Sequence, residues 1–167
     1  MVDSDLRNTL TKHASQYYAA KENENSDRTQ EIAEEIGFDP LGADCLGSGG
    51  GRVVFDLTIL GYPDLCVKLA IPHSKWDGVD QNEREVQLWE TLSLTKKEYL
   101  VEVVDSGPDN YWIIMKQGEP VEQLPYQWLQ DAKFHLRDTL WEKDLSEDNI
   151  VKVNGEYKFC DYGVGNQ

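Results

Sequence analysis

At 167 residues, with 40 % hydrophobic and 10 % aromatic content, the chain is long enough for one domain with its own core and too apolar for a disordered tail. Its 31 acidic residues against 16 basic ones leave a net charge of −15, which argues against duplex nucleic acid and anionic membranes as partners, because no basic patch is visible to engage phosphates. The same excess suits a protein that stays soluble in high salt, or one that shows an acidic surface to a partner.

Residues 3–22 read as a helix. Ser4 or Asp3 can cap it, and Leu6, Leu10, Ala14, Tyr17 and Tyr18 form a loose stripe. KENENSD breaks the pattern as a polar turn. A second helix is expected from Asp27 to Ile36, capped by Ser26 or Asp27 and stopped by Gly37. This leader, residues 1–44, either packs on its own domain or acts as a docking arm.

Asp44–Leu46 reads as a strand, Gly47-Ser48-Gly49-Gly50-Gly51-Arg52 as a glycine run, and Val53–Leu60 as a second strand. Glycines let backbone N–H groups approach phosphate oxygens without a Cβ in the way, although glycine runs also make plain turns. No G-K-[ST] follows and a strand comes next, which excludes a P-loop and a good dinucleotide fingerprint. Leu65–Ala70 alternates as a strand with Lys68 its one charge. A buried ammonium there needs a partner; at an edge it would snorkel.

Residues 80–92 form an amphipathic helix with Val86, Leu88, Trp89 and Leu92 on one side. Glu83, Glu85 and Glu90 are candidate partners for Lys68. Glu85 is chosen because Leu88, Trp89 and Leu92 follow at +3, +4 and +7. Tyr99–Val104 and Tyr111–Met115 read as strands around the turn Ser106–Asn110, and a helix is expected from Pro125 to Leu140 with Trp128, Leu129, Ala132, Leu136 and Leu140 inward.

The stretch from Trp141 to Gly165 holds Asp144, Asn149 five residues later, and Asp161-Tyr162-Gly163. Between them Ile150–Val153 and Tyr157–Cys160 make a hairpin whose Asn154-Gly155 suits a type I′ turn. The hairpin returns Asp161 beside Asn149, two oxygen-bearing side chains suited to a hard cation such as Mg²⁺. A solvated acidic hairpin is the plainer reading of the same residues. The cysteines Cys45, Cys66 and Cys160 are odd in number and lack metal spacing, so buried thiols in a reducing compartment are expected. MVDSDLRNTL shows no signal-peptide pattern, and no apolar run reaches about eighteen residues, so an intracellular protein outside the membrane is expected.

In order and spacing these motifs resemble the protein-kinase-like superfamily from about Leu46 to Gly163. Gly47, Gly49 and Val54 match the glycine loop, Lys68 falls 21 residues after Gly47, and D…N…D-Y-G closes the set. The resemblance implies an α+β, protein-kinase-like fold: a five-stranded antiparallel N-lobe with one packed helix over 45–118 and a reduced helical C-lobe over 119–167. It implies that Gly47, Gly49 and Gly50 cover the phosphates of ATP, and that Lys68 holds the α/β phosphates and pairs with Glu85. Met115 would back the adenine, Lys116 to Gly118 would meet its edge, Asp144 would orient or deprotonate an acceptor hydroxyl, and Asn149 and Asp161 would hold Mg²⁺.

Arg52 stands where the third glycine would be, Glu142-Lys143 replaces the usual His-Arg, and Ser146 replaces a phosphate-contacting lysine. The sequence ends four residues after Gly163, short of the family's peptide-binding helices, so a C-terminally truncated large lobe is expected. The implied functions are a minimal Mg²⁺/ATP-dependent phosphotransferase or a non-catalytic pseudokinase-type scaffold; an acidic mimic that binds basic proteins is a third reading. An uncovered apolar base at Trp128, Phe134 and Trp141 leads to the expectation of a homo-oligomer or larger assembly. A cytoplasmic or virion-associated protein of a salt-loving microbe or its virus fits this set.

Overall fold

The computed structural model describes residues 2–39, 42 and 44–163; residues 164–167, included in the expected C-lobe, lie outside it. The fold is α+β. Helices α1 (Ser4–Glu22) and α2 (Ser26–Ile36) come first, then strands β1 (Cys45–Gly49), β2 (Arg52–Asp56) and β3 (Leu65–Ala70). Helices α3 (Gly78–Thr91) and α4 (Leu94–Lys97) follow, then β4 (Val103–Ser106), β5 (Trp112–Lys116) and β6 (Glu119–Pro120). Helix α5 (Tyr126–Leu136) and strands β7 (Ile150–Val153) and β8 (Glu156–Phe159) complete it. The first five strands form one antiparallel sheet in the order β1-β2-β3-β5-β4, and β6-β7-β8 form a second.

Alternation along the strands gives the large sheet two apolar faces. Val53, Phe55, Val67, Leu69, Trp112 and Ile114 point to the outer face, where they meet Leu10, Ala14, Tyr17, Ile32, Ile36 and Phe38. Phe38 stacks on Phe55 at 4.5 Å. The leader therefore shares a core with the sheet. Asp3 caps α1 by accepting the Leu6 N–H (2.9 Å). The cap of α2 is Asn25, not Ser26 or Asp27, and accepts the Arg28 N–H (3.0 Å), because the helix starts one residue earlier than the apolar pattern implies. Gly37 ends it with φ +107°. Tyr18 is only half-buried; its hydroxyl donates to Asp77, the cap of α3.

The inner face carries Cys66, Lys68, Ile113 and Met115. Below it lie Leu129, Ala132 and Leu136 of α5, Ile150 and Phe159 of the second sheet, and Tyr162. Three expected spans are each four residues shorter at one end. The strand expected to reach Leu60 ends at Asp56, whose carboxylate accepts the Thr58 N–H (2.7 Å) and turns 58–60 into a 3₁₀ helix. The strand expected from Tyr99 starts at Val103. Tyr99 and Val101 instead bond to Phe159 (2.8 and 2.9 Å), which joins the two sheets. Helix α5 stops at Leu136, where the Thr139 N–H turns back to the Leu136 carbonyl (2.8 Å).

The base is covered more fully than expected. Trp128 packs against Tyr99, Tyr157 and Phe159, with ring centroids 5.6–6.0 Å apart. Trp141 meets Trp76 at 5.5 Å. Phe134 is the member left 61 % exposed, and the Arg137 guanidinium lies over its ring.

Candidate functional site

A cleft of about 440 Å³ opens between the two sheets. Its roof is the β1–β2 hairpin with Val54 and Cys66, its back edge is Lys116–Gly118, and Pro120 and Val151 form its floor. Leu46, Val54, Cys66 and Val151 give the inner part apolar walls. Lys68, Arg52 and Asp161 make the outer part charged.

Two kinds of glycine build the roof. Gly51 has φ +105°, and a Cβ there would run into the Trp76 carbonyl and the Gln81 amide. The Gln81 amide donates to the carbonyls of Gly50 and Trp76, and the Ile71 N–H donates to the Gly51 carbonyl (2.7 Å), so the hairpin tip is pinned to the start of α3. Gly47 and Gly49 differ. Neither has positive φ, and a Cβ at either would meet nothing within 4 Å. Neither the backbone nor packing within the chain demands glycine there, and both face the cleft.

The charges converge from four elements. Val54 pairs directly with Lys68 across β2–β3, so Arg52, two residues from Val54, shares the inner face with Lys68. Lys68 Nζ lies 3.1 and 3.0 Å from the two Glu85 carboxylate oxygens and donates to the Cys160 carbonyl. Arg52 Nη1 lies 2.8 Å from Glu85 Oε1 as an ion pair, and Nη2 grips Asp161 Oδ1. The Tyr162 N–H also donates to Glu85 (3.1 Å).

Glu85 is fully buried and Arg52 is 5 % exposed. A charge so placed costs several kcal/mol unless paired, and each here is paired. Burial pushes the Glu85 carboxyl up, but Arg52 and Lys68 outweigh it and hold its pKa below the usual carboxylate value. Burial and the neighbouring Arg52 lower the Lys68 pKa against the pull of Glu85.

Asp144 is 1 % exposed and does not line the cleft. Burial lifts its carboxyl to about 6; Arg84 and Arg52 pull downward, and Glu85 pushes further up. Asn149 ties this loop to the end of the hairpin: its side-chain amide donates to the carbonyls of Asp144 (3.2 Å) and Asp161 (3.3 Å). The hairpin turns as expected, with φ of +52° at Asn154 and +85° at Gly155. Tyr162 is buried, its hydroxyl donating to the Val101 carbonyl (2.9 Å). Gly163 lies so close to α3 that a Cβ would meet the Gln81 carbonyl and Glu85 Cγ.

Of the residues singled out in the sequence, Gly47, Gly49, Gly50, Lys68, Lys116, Gly118 and Asp161 line one cleft, with Glu85 directly behind Lys68. Met115 lies in the inner core and contributes no surface to the cleft. Asn149 and Asp161 are neighbours, but they fit a divalent cation poorly as they stand. The Asp161 carboxylate, the charged member of the pair, is held by a guanidinium. Among the described residues no three His, Cys, Asp or Glu side chains converge for a metal.

Arg52 and Gln81 also line the cleft, and motif reading assigned neither a place there. The signal for Arg52 was the period of two: an arginine two residues before Val54 belongs on the inner face. Compared with protein-family models and with curated proteins, the chain matches none.

Proposed function

We propose that this chain is a kinase-like nucleotide-binding protein whose cleft takes an ATP-class nucleoside triphosphate. The observation that carries this reading is the buried Lys68–Glu85 pair, opening on a cleft roofed by two glycines that the fold itself does not require. A flat base suits the apolar slot between Val54 and Val151, with its edge toward Lys116–Gly118, and the phosphates suit Lys68 and the hairpin backbone. The sheet order with α3 on its inner face agrees with a kinase-like small lobe.

The test is a thermal melt with and without ATP, in both Mg²⁺ and EDTA. Ligand at about a hundredfold over its Kd stabilises by roughly 2.7 kcal/mol, a rise of about 5–10 °C for a chain of this size. No rise at millimolar ATP in either buffer would overturn the reading.

A second reading, phosphoryl transfer to a hydroxyl acceptor, is favoured by the link that Asn149 makes between the Asp144 loop and Asp161 and by the Asp144 pKa of about 6, suited to a proton acceptor near neutrality. Because Asp144 is buried, transfer would require the 141–149 loop to open toward the acceptor. Incubation with γ-labelled ATP separates the two. Label on the chain or on an added hydroxyl acceptor, lost in Asp144→Asn while ATP still binds, would establish transfer; binding without label would leave a nucleotide-binding module.

A further inference from the structure

Arg52, Lys68 and Glu85 by themselves carry one net positive charge, with Asp144 buried near them. Arg52 and Lys68 bring two positive charges and Glu85 one negative charge, all at 7 % side-chain exposure or less. The charge that meets both cations on the cleft side comes from Asp161, whose side chain is 41 % exposed there. Asp161 Oδ1 is shared between Arg52 and, at 4.0 Å, Lys68. It therefore occupies, on the cleft side of both cations, the place an anionic oxygen of a ligand would take. The roof above is open at Gly47 and Gly49.

The alternative role for Asp161 is to hold a divalent cation that in turn holds phosphate. That role needs the carboxylate free of Arg52. The structure shows the guanidinium on the carboxylate. A guanidinium, permanently charged and fork-shaped, matches phosphate oxygens directly and needs no bridging ion.

We propose that the cleft takes the phosphate chain of its nucleotide directly on Arg52 and Lys68, without a divalent cation, and that the incoming phosphate displaces Asp161 from Arg52. This rests on the nucleotide reading and gives it a sign. Asp161 becomes a competitor of the ligand, where a metal-bridged site would make it a helper.

The experiment is calorimetric titration of ATP in EDTA and in Mg²⁺, on wild type, Asp161→Asn, Arg52→Gln and Arg52→Lys, with circular dichroism to check folding. ATP is expected to bind in EDTA at least as well as in Mg²⁺. Asp161→Asn is expected to tighten binding in EDTA by about tenfold, the effect of removing one like charge from beside a phosphate. Arg52→Gln is expected to weaken it by at least about tenfold, with partial recovery in Arg52→Lys. Should Arg52→Gln fail to fold, the Asp161→Asn comparison decides alone. Binding seen only with Mg²⁺ and lost in Asp161→Asn would overturn the proposal and leave the nucleotide reading standing. Absence of ATP binding in both buffers would overturn both.

Discussion

The Arg52 guanidinium grips the Asp161 carboxylate across the outer part of the cleft, joining the glycine hairpin to the segment after β8. The other arm of Arg52 lies 2.8 Å from Glu85, which also receives Lys68 and the Tyr162 N–H. The roof hairpin, α3 and the segment after β8 are thus held by one set of charges, and several expectations depend on it.

Glu85 is the keystone. Glu85→Gln leaves two buried cations without their carboxylate, a change that should cost about 3–5 kcal/mol. In a melt this is a fall of about 6–20 °C for a chain of this length. A shift under about 3 °C would mean that the cluster does not hold the fold together.

Asp144 sets a pH dependence of defined sign. Its folded pKa is raised to about 6 from 3.8. The folded state therefore binds more protons than the unfolded one between those values, and this contribution to stability falls as pH rises through that window. Asp144→Asn, which does not titrate, should be more stable than wild type at pH 7.5 by on the order of 1–3 kcal/mol, with the difference shrinking below about pH 4. Urea denaturation at the two pH values checks this; an equal difference at both would contradict it.

The two kinds of roof glycine should separate in mutagenesis. Gly47→Ala and Gly49→Ala should leave stability unchanged or raise it by up to about 1 kcal/mol, because neither φ nor space opposes a methyl group. Both should weaken ATP binding. Gly51→Ala should lose about 2 kcal/mol or more, given its positive φ and the backbone already in its way. Equal melting points for all three variants would contradict this division.

The leader is part of the core. Phe38 is 2 % exposed and stacked on Phe55. Phe38→Ala should cost about 3–5 kcal/mol, as for other buried aromatic truncations. A near-neutral result in denaturant titration would return α1 and α2 to the status of a detachable arm.

Much of this was legible in one dimension, and for physical reasons. Lys68 stood out as one charge in an alternating apolar strand, and Glu85 followed from the apolar spacing after it; the pair meets at 3.0 Å. Asn154-Gly155 announced its turn because few other pairs tolerate two positive φ values. The partner of Asp161 was not legible, because the pairing spans 109 residues and depends on which face of β2 Arg52 takes. The buried side chains of α3 are polar, Gln81, Asn82 and Glu85, so its apolar stripe indicated only the flank of its packing face. The early end of β2 and the late start of β4 turn on side-chain and inter-sheet hydrogen bonds that periodicity does not encode.

One titration bears most directly on whether the cleft is a nucleotide site: calorimetry of ATP into wild type and Lys68→Met, both checked for folding. Saturable binding of one ATP per chain, weakened at least about tenfold in Lys68→Met, is the expected result, since a charged hydrogen-bond donor to phosphate would be gone. Equal affinity in both proteins, or no binding in wild type, would contradict it.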